Sequence, residues 1–152
     1  ITRNLLLASL LLDEKNSHEY FAHKYNISNN IKENLNLFAK NLNLVKNNKD
    51  FFNKDLEKNI YLNDKNHLIG LNIINFVSNT NVKLKDFSEN LKKILNSKTH
   101  QFTIDGKYLM DHGMTQGALI GKALKVIEEE WIKNNFEIKK DRVQEIIRMY
   151  TN

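Results

Sequence analysis

The segment Asn66-His-Leu-Ile-Gly70-Leu-Asn72-Ile-Ile-Asn75-Phe-Val-Ser-Asn79 decides the fold class. Leu68, Ile69, Leu71, Ile73, Ile74, Phe76 and Val77 make it the most apolar part of the chain, dense enough to pass for a buried strand. Asn72, Asn75 and Asn79, however, fall on one face at helical spacing, so the pattern predicts a largely buried helix over 66–79. With that segment helical, no strand-rich stretch remains to build a sheet. The chain therefore reads as all-α, a multi-helix body and tail in antiparallel helical layers.

Working outward, Ile31, Leu35, Phe38, Leu42 and Val45 recur at alternating spacings of four and three and define one helical stripe. Ser28 precedes it as an N-cap whose hydroxyl can accept from an orphan backbone N–H. Leu5–Leu12 and Ser17–Tyr25 read as two shorter helices split near Asp13–Asn16, and Phe52, Leu56 and Ile60 continue the pattern after Asp50. Asp86 can cap a further helix carrying Phe87, Leu91, Ile94 and Leu95. The texture changes near Thr99, which divides the chain into a body over 1–98 and a tail over 99–152. Four of the five glycines lie in Gly106–Gly121. Phe102-Thr-Ile104 alternates like a short extended strap near 102–105, and Asp105-Gly106 suits a turn. A long helix is expected from Thr115 to Asn134, with Ile120, Leu124, Ile127 and Trp131 facing inward, and a last one from Asp141 to Tyr150.

Composition narrows the function classes. The chain has 152 residues, no cysteine, and 23 basic against 18 acidic side chains for a net charge of +5. Without cysteine there is no disulfide framework, no thiolate zinc site and no cysteine nucleophile, and a reducing cytoplasm fits. No apolar run approaches the ~20 residues of a membrane-spanning helix, so no membrane partner is expected. The basic surplus is compatible with a polyanionic partner, but lysine supplies most of it. Lysine, like the two dozen asparagines, rises in AT-rich genomes, so the compositional reading comes first. The chain starts at Ile1, already within an apolar pattern, and reads as a piece of something longer.

The usual catalytic and metal signatures are missing, and no catalytic or metal-binding residue is expected. His18 and His23 are spaced i, i+5 and diverge on a helix, unlike the i, i+4 pair of a zinc-protease helix. Asp55 and Glu57 diverge as well, with no phosphate loop upstream. Glu128-Glu129-Glu130 reads as a solvated helix face in which Glu129 can pair with Lys133. In the glycine-rich stretch, Gly113 allows a positive φ, and Gly117 and Gly121 remove side chains one turn apart. That shared face would admit a neighbouring backbone in tight packing, or an anion at the start of the helix.

The run Ile104-Asp-Gly106-Lys-Tyr-Leu-Met-Asp-His-Gly113, followed by Gly117, Ile120-Gly121, Leu124, Glu130-Trp131-Ile132 and Phe136, resembles the C-terminal signature of the bacterial tRNA nucleotidyltransferase (CCA-adding enzyme) and poly(A) polymerase family. Weaker echoes lie at Asn26-Ile27-Ser28-Asn29 and Ile60-Tyr61-Leu62. The family pattern has Asp where this chain has Tyr108, and prolines where it has Gln116 and Ala118. The resemblance implies that Gly106, Gly113, Gly117, Gly121 and Trp131 form the structural signature. It also implies that nucleotidyl transfer from CTP and ATP with Mg belongs to an N-terminal catalytic head. This chain would carry no cofactor and would be inactive alone, its role being to hold tRNA or another RNA through shape and phosphate neutralisation. Candidate phosphate contacts are Lys107, Lys122, Lys125, Lys139, Lys140 and Arg142, together with the Lys83, Lys85, Lys92, Lys93 and Lys98 cluster. Two other readings stand beside it: a helix-hairpin-helix-like nucleic-acid-binding module around Gly113–Ile120, and a structural helical scaffold. Trp131 is expected in the core, where truncation to alanine costs about 3–5 kcal/mol.

Overall fold

The computed structural model describes residues 3–12 and 18–151, and among these the secondary structure is helical, without strands. The chain divides into two compact units, Ile1–Thr99 and His100–Asn152. The expected split at Asp13–Asn16 lies outside the described residues.

The first unit contains α1 (Arg3–Leu11), α2 (His18–Lys24), α3 (Asn29–Asn47), α4 (Leu56–Asn63), α5 (Lys65–Ser78) and α6 (Leu84–Asn96). The apolar segment that decided the fold class is α5, and it is the hub, packing against α1, α3, α4 and α6. A helix with four neighbours must be apolar on most of its surface, which is why its sequence looked strand-like. Leu68, Leu71 and Ile74 are completely buried with Leu35, Ile60 and Ile94 around them. Each such side chain contributes ~1.5–3 kcal/mol by leaving water. On α3, Leu35, Phe38 and Leu42 are buried as the stripe requires, with Ile31 and Val45 packed at its ends.

The asparagine face of α5 does not meet solvent. Asn72 is 0 % and Asn75 6 % exposed. The Asn72 amide donates to the Phe87 carbonyl of α6 at 3.0 Å, and its own carbonyl accepts from Asn90 at 3.4 Å. Asn72 is tolerated inside the bundle because the facing helix supplies its hydrogen-bond partners, whereas the buried Asn75 Oδ1 accepts no hydrogen bond. On α6, Ile94 is buried, Phe87 and Leu91 are half-buried, and Leu95 is exposed. Asp86 caps α6 from the third helical position, its carboxylate accepting from the Lys83 N–H at 3.2 Å. Ser28 occupies the N-cap of α3 in extended backbone but makes no side-chain cap bond.

Close approach occurs at Gly70. A Cβ there would lie 3.1 Å from Leu5 Cδ1 and 3.3 Å from the Phe38 ring, so α1 and α3 settle against α5 where it has no side chain.

The second unit contains α7 (Gly106–Asp111), α8 (Ala118–Lys133) and α9 (Lys140–Thr151). Its core is Leu109, Met114, Ala123, Ile127, Val143, Ile146 and Ile147. Phe102 and Ile104 are half-buried while Gln101, Thr103 and Asp105 are exposed, the alternation expected of an extended strap. Two boundaries differ from expectation. Asp105-Gly106 starts α7 instead of closing a turn, with the Asp105 carboxylate accepting from the Tyr108 N–H at 2.8 Å. The long helix begins at Ala118 rather than Thr115, because Gly117 has φ +153°, a value no helix interior accepts.

Candidate nucleic-acid interface

The glycine-rich stretch folds as α7, a turn through Gly113 and Gly117, and α8. Gly113 has φ +102°, which sets the exit from α7 and returns Met114 to the core, its N–H bonded to the Leu109 carbonyl at 3.1 Å. Tight helix packing at Gly117 and Gly121 is not what the structure holds. A Cβ at Gly113, Gly117 or Gly121 would meet nothing within 4 Å, and close packing falls instead on Gly106, 3.4 Å from Ile120 Cγ2. Gly113 and Gly117 therefore leave bare, accessible backbone at the hairpin, and Gly121 does the same on the first turn of α8. Asp105 caps α7 by accepting from the Tyr108 N–H, and the Tyr108 ring stacks on His112 at 4.1 Å between centroids.

The candidate phosphate contacts spread over several faces. Lys107 lies on α7, Lys122 and Lys125 on α8, and Lys139 and Lys140 at the start of α9, all exposed. Lys125 Nζ lies 3.9 Å from Glu129, so Glu129 turns back one helical turn toward Lys125. Exposed pairs of this kind contribute little to stability and leave the lysine available. In the first unit, Lys83, Lys85 and Lys92 are exposed, Lys85 sits 3.8 Å from Glu89, and Lys93 donates to Asn53 at 2.6 Å.

Arg142 is different. Its Nε and Nη2 donate to Glu130 at 2.8 and 2.5 Å, and its Nη1 to Glu145 at 2.9 Å. This two-pronged bond ties α9 to α8. It holds the Glu130 carboxyl below its usual range, chiefly through the hydrogen bond from Arg142, and holds the guanidinium firmly protonated. Glu130 therefore leaves the solvated face assigned to Glu128–Glu130, and Arg142, paired with two carboxylates, is a strut rather than a free cation. Nothing in the sequence pairs positions 130 and 142, since they lie on different helices.

Charge separates the units more sharply than single residues do. The second unit carries eight basic and eight acidic side chains, so the whole surplus of +5 belongs to the first.

What the second unit does build is a cleft of about 810 Å3. The Phe102–Ile104 strap, the end of α8 (Glu130, Trp131, Asn134), the Phe136–Lys139 connection and Arg142 line it. Trp131 is half-buried on its wall, short of the full core burial expected. Its indole is tilted against Phe102 at 5.3 Å and meets Phe136 edge-on at 4.9 Å, and Phe136 stacks on His100 at 3.7 Å with 6° between planes. The corner closes through the Phe136 N–H, which donates to the Trp131 carbonyl at 2.8 Å. Both Asn135 (φ +55°) and Phe136 (φ +65°) are left-handed. For a phenylalanine this conformation costs ~1–3 kcal/mol, which the surrounding ring contacts must overcome.

His18 and His23 edge a small hollow with Asn36, to which His18 Nε2 is bonded at 3.0 Å. Among the described residues no three His, Asp or Glu side chains gather as a metal site, and no helix is long and apolar enough to cross a membrane. No family model, curated protein or solved structure matches the chain.

Proposed function

We propose that the chain is the RNA-holding C-terminal region of a template-independent tRNA nucleotidyltransferase or poly(A) polymerase, positioning tRNA while a catalytic head performs 3′-end nucleotide addition with Mg and CTP or ATP. The observation that carries this reading is a convergence. Ile104 from the strap, and Trp131 and Phe136 from the end of α8 and the connection after it, are three residues on which the sequence resemblance rests, and they line one cleft. Side chains serving only a helical scaffold would be expected in its core, and Trp131 and Phe136 are both partly exposed at the cleft. The basic surplus of the first unit supports the same reading, since phosphate neutralisation by Lys and Arg supplies most non-specific affinity for RNA.

Titration of tRNA and of duplex DNA across a salt series tests it. The expected result is a preference for tRNA, with log affinity falling linearly in log salt. Binding no stronger than that of an unrelated protein of equal charge overturns it.

A second reading has its own observation. Gly113 and Gly117 both take positive φ between two helices, with open space before them, as a glycine hairpin against a nucleic-acid backbone requires. That helix-hairpin-helix-like reading predicts duplex DNA affinity equal to tRNA affinity and dependent on both glycines.

A further inference from the structure

We infer that the Trp131 cleft takes an unpaired nucleotide of an RNA strand, its base against the indole and its polar edge toward the Arg142–Glu130 pair. This rests on the RNA-holding reading and assigns it a site.

The lining selects the ligand. Phe102, Ile104, Trp131, Phe136 and Ile138 give the cleft an apolar, largely aromatic wall. Its charged groups cancel, Glu130 and Glu137 against Lys139 and Arg142. A groove that follows a phosphate backbone would show a positive surplus, and this one does not. A wholly apolar ligand would strip water from four charged side chains without replacing it. A nucleobase meets both conditions, with a flat face for stacking and a rim of donors and acceptors for the carboxylate and guanidinium. A single phosphate beside it is within the means of Lys139.

Rigidity points the same way. Three Arg142 N–H groups are committed to Glu130 and Glu145, so the guanidinium is fixed at the cleft edge while its remaining N–H groups stay available as donors. Phe136 is held left-handed where its ring braces Trp131. A strained backbone and a locked side chain at the rim of one accessible cleft describe a preformed site. The volume, about 810 Å3, lies in the range of small-ligand pockets and exceeds what one base needs, leaving room for the sugar. In RNA recognition, unstacked bases are commonly taken up on aromatic side chains in this way.

Trp131 is the only tryptophan in the chain, so its fluorescence reports the cleft directly in the unmodified protein. Octaadenylate, a fully paired RNA duplex of the same length and AMP are titrated separately, with tRNA binding followed in parallel by filter retention. The expected result is saturable quenching by octaadenylate, none by the duplex, and quenching by AMP only at far higher concentration. Trp131→Leu, with helicity checked by circular dichroism, should weaken labelled octaadenylate about 5- to 100-fold in anisotropy and leave duplex binding unchanged. Should that variant fail to fold, the wild-type quenching still decides. Retention of tRNA with silent indole fluorescence overturns the cleft assignment and leaves the holding reading standing. AMP quenching as tight as octaadenylate overturns the assignment to an RNA strand. Quenching by octaadenylate without tRNA retention upholds the cleft and overturns the holding reading, and absence of both overturns the two together.

Discussion

His67 on α5 lies face to face with Phe38 on α3, ring centroids 4.3 Å apart and planes 16° apart, and its Nε2 sits 3.0 Å from the Asn41 amide nitrogen. In that arrangement the imidazole is neutral and accepts at Nε2, because a protonated ring would set two donors against each other. Burial lowers its pKa below 6.5, outweighing the attraction of Asp64, whose carboxylate caps the start of α5.

A pH dependence follows. The unfolded chain takes up the proton first as pH falls, so the first unit is at full stability above 6.5 and loses stability from there down to the lowered folded value. Urea melts between pH 7.5 and 5 should show a falling midpoint. His67→Gln should flatten that slope, and an unchanged slope in the variant would show that His67 does not set it.

The open glycines give opposite signs. Gly121 lies within α8 with nothing near its missing Cβ, so Gly121→Ala should stabilise by about 0.5–1 kcal/mol through helix propensity and reduced unfolded-state freedom. Gly113→Ala should destabilise by about 1–3 kcal/mol, because φ +102° is closed to alanine. Thermal melts of the two single variants check both signs.

Asn72→Ala should cost about 1–3 kcal/mol, since it leaves the Phe87 carbonyl without its donor inside the α5–α6 interface. The effect is read from the urea midpoint, and a loss under 0.5 kcal/mol would mean that the Phe87 carbonyl finds another donor.

For Trp131→Ala the expected loss is about 2 kcal/mol, less than a core tryptophan would give, because the indole is half-buried, packed against Phe102 and Phe136 without being enclosed. A denaturant series measures it.

Charge reversal at Lys139 and Lys140 should reduce tRNA affinity without changing the melting temperature, both being exposed at the start of α9. Arg142→Glu should instead lower the melting temperature, since it breaks the bond to Glu130 and adds a third carboxylate beside Glu130 and Glu145. Circular dichroism melts beside the binding curves separate the two.

Helices with a long apolar stripe were legible in the sequence. The stripe on α3 is buried as its spacing demands, and α5 is a helix despite its strand-like composition. Short elements set by single backbone positions were not. Six-residue α7 has too few turns to show a period, and the start of α8 is fixed by the conformation of Gly117. Asparagine was the most misleading letter. Its abundance reads as genome composition, yet Asn41, Asn48, Asn59 and Asn72 each donate across elements or close a turn. The cleft was half visible. Trp131 and Phe136 stood out by resemblance, but a stripe of inward residues said nothing about Trp131 lying at the edge of the core. The Glu130–Arg142 bond joins separate helices, and no local pattern encodes it.

The buried Asn72 amide also limits how α6 can dock. An amphipathic helix resting on leucines and isoleucines alone could slide by one turn at modest cost, exchanging one greasy contact for the next. Sliding α6 past α5 would carry the Phe87 carbonyl and the Asn90 side chain out of reach and strand a polar amide in a dry seam. That single side chain therefore works as an alignment key, making one docking register far cheaper than its neighbours, as a lone buried asparagine does in coiled coils.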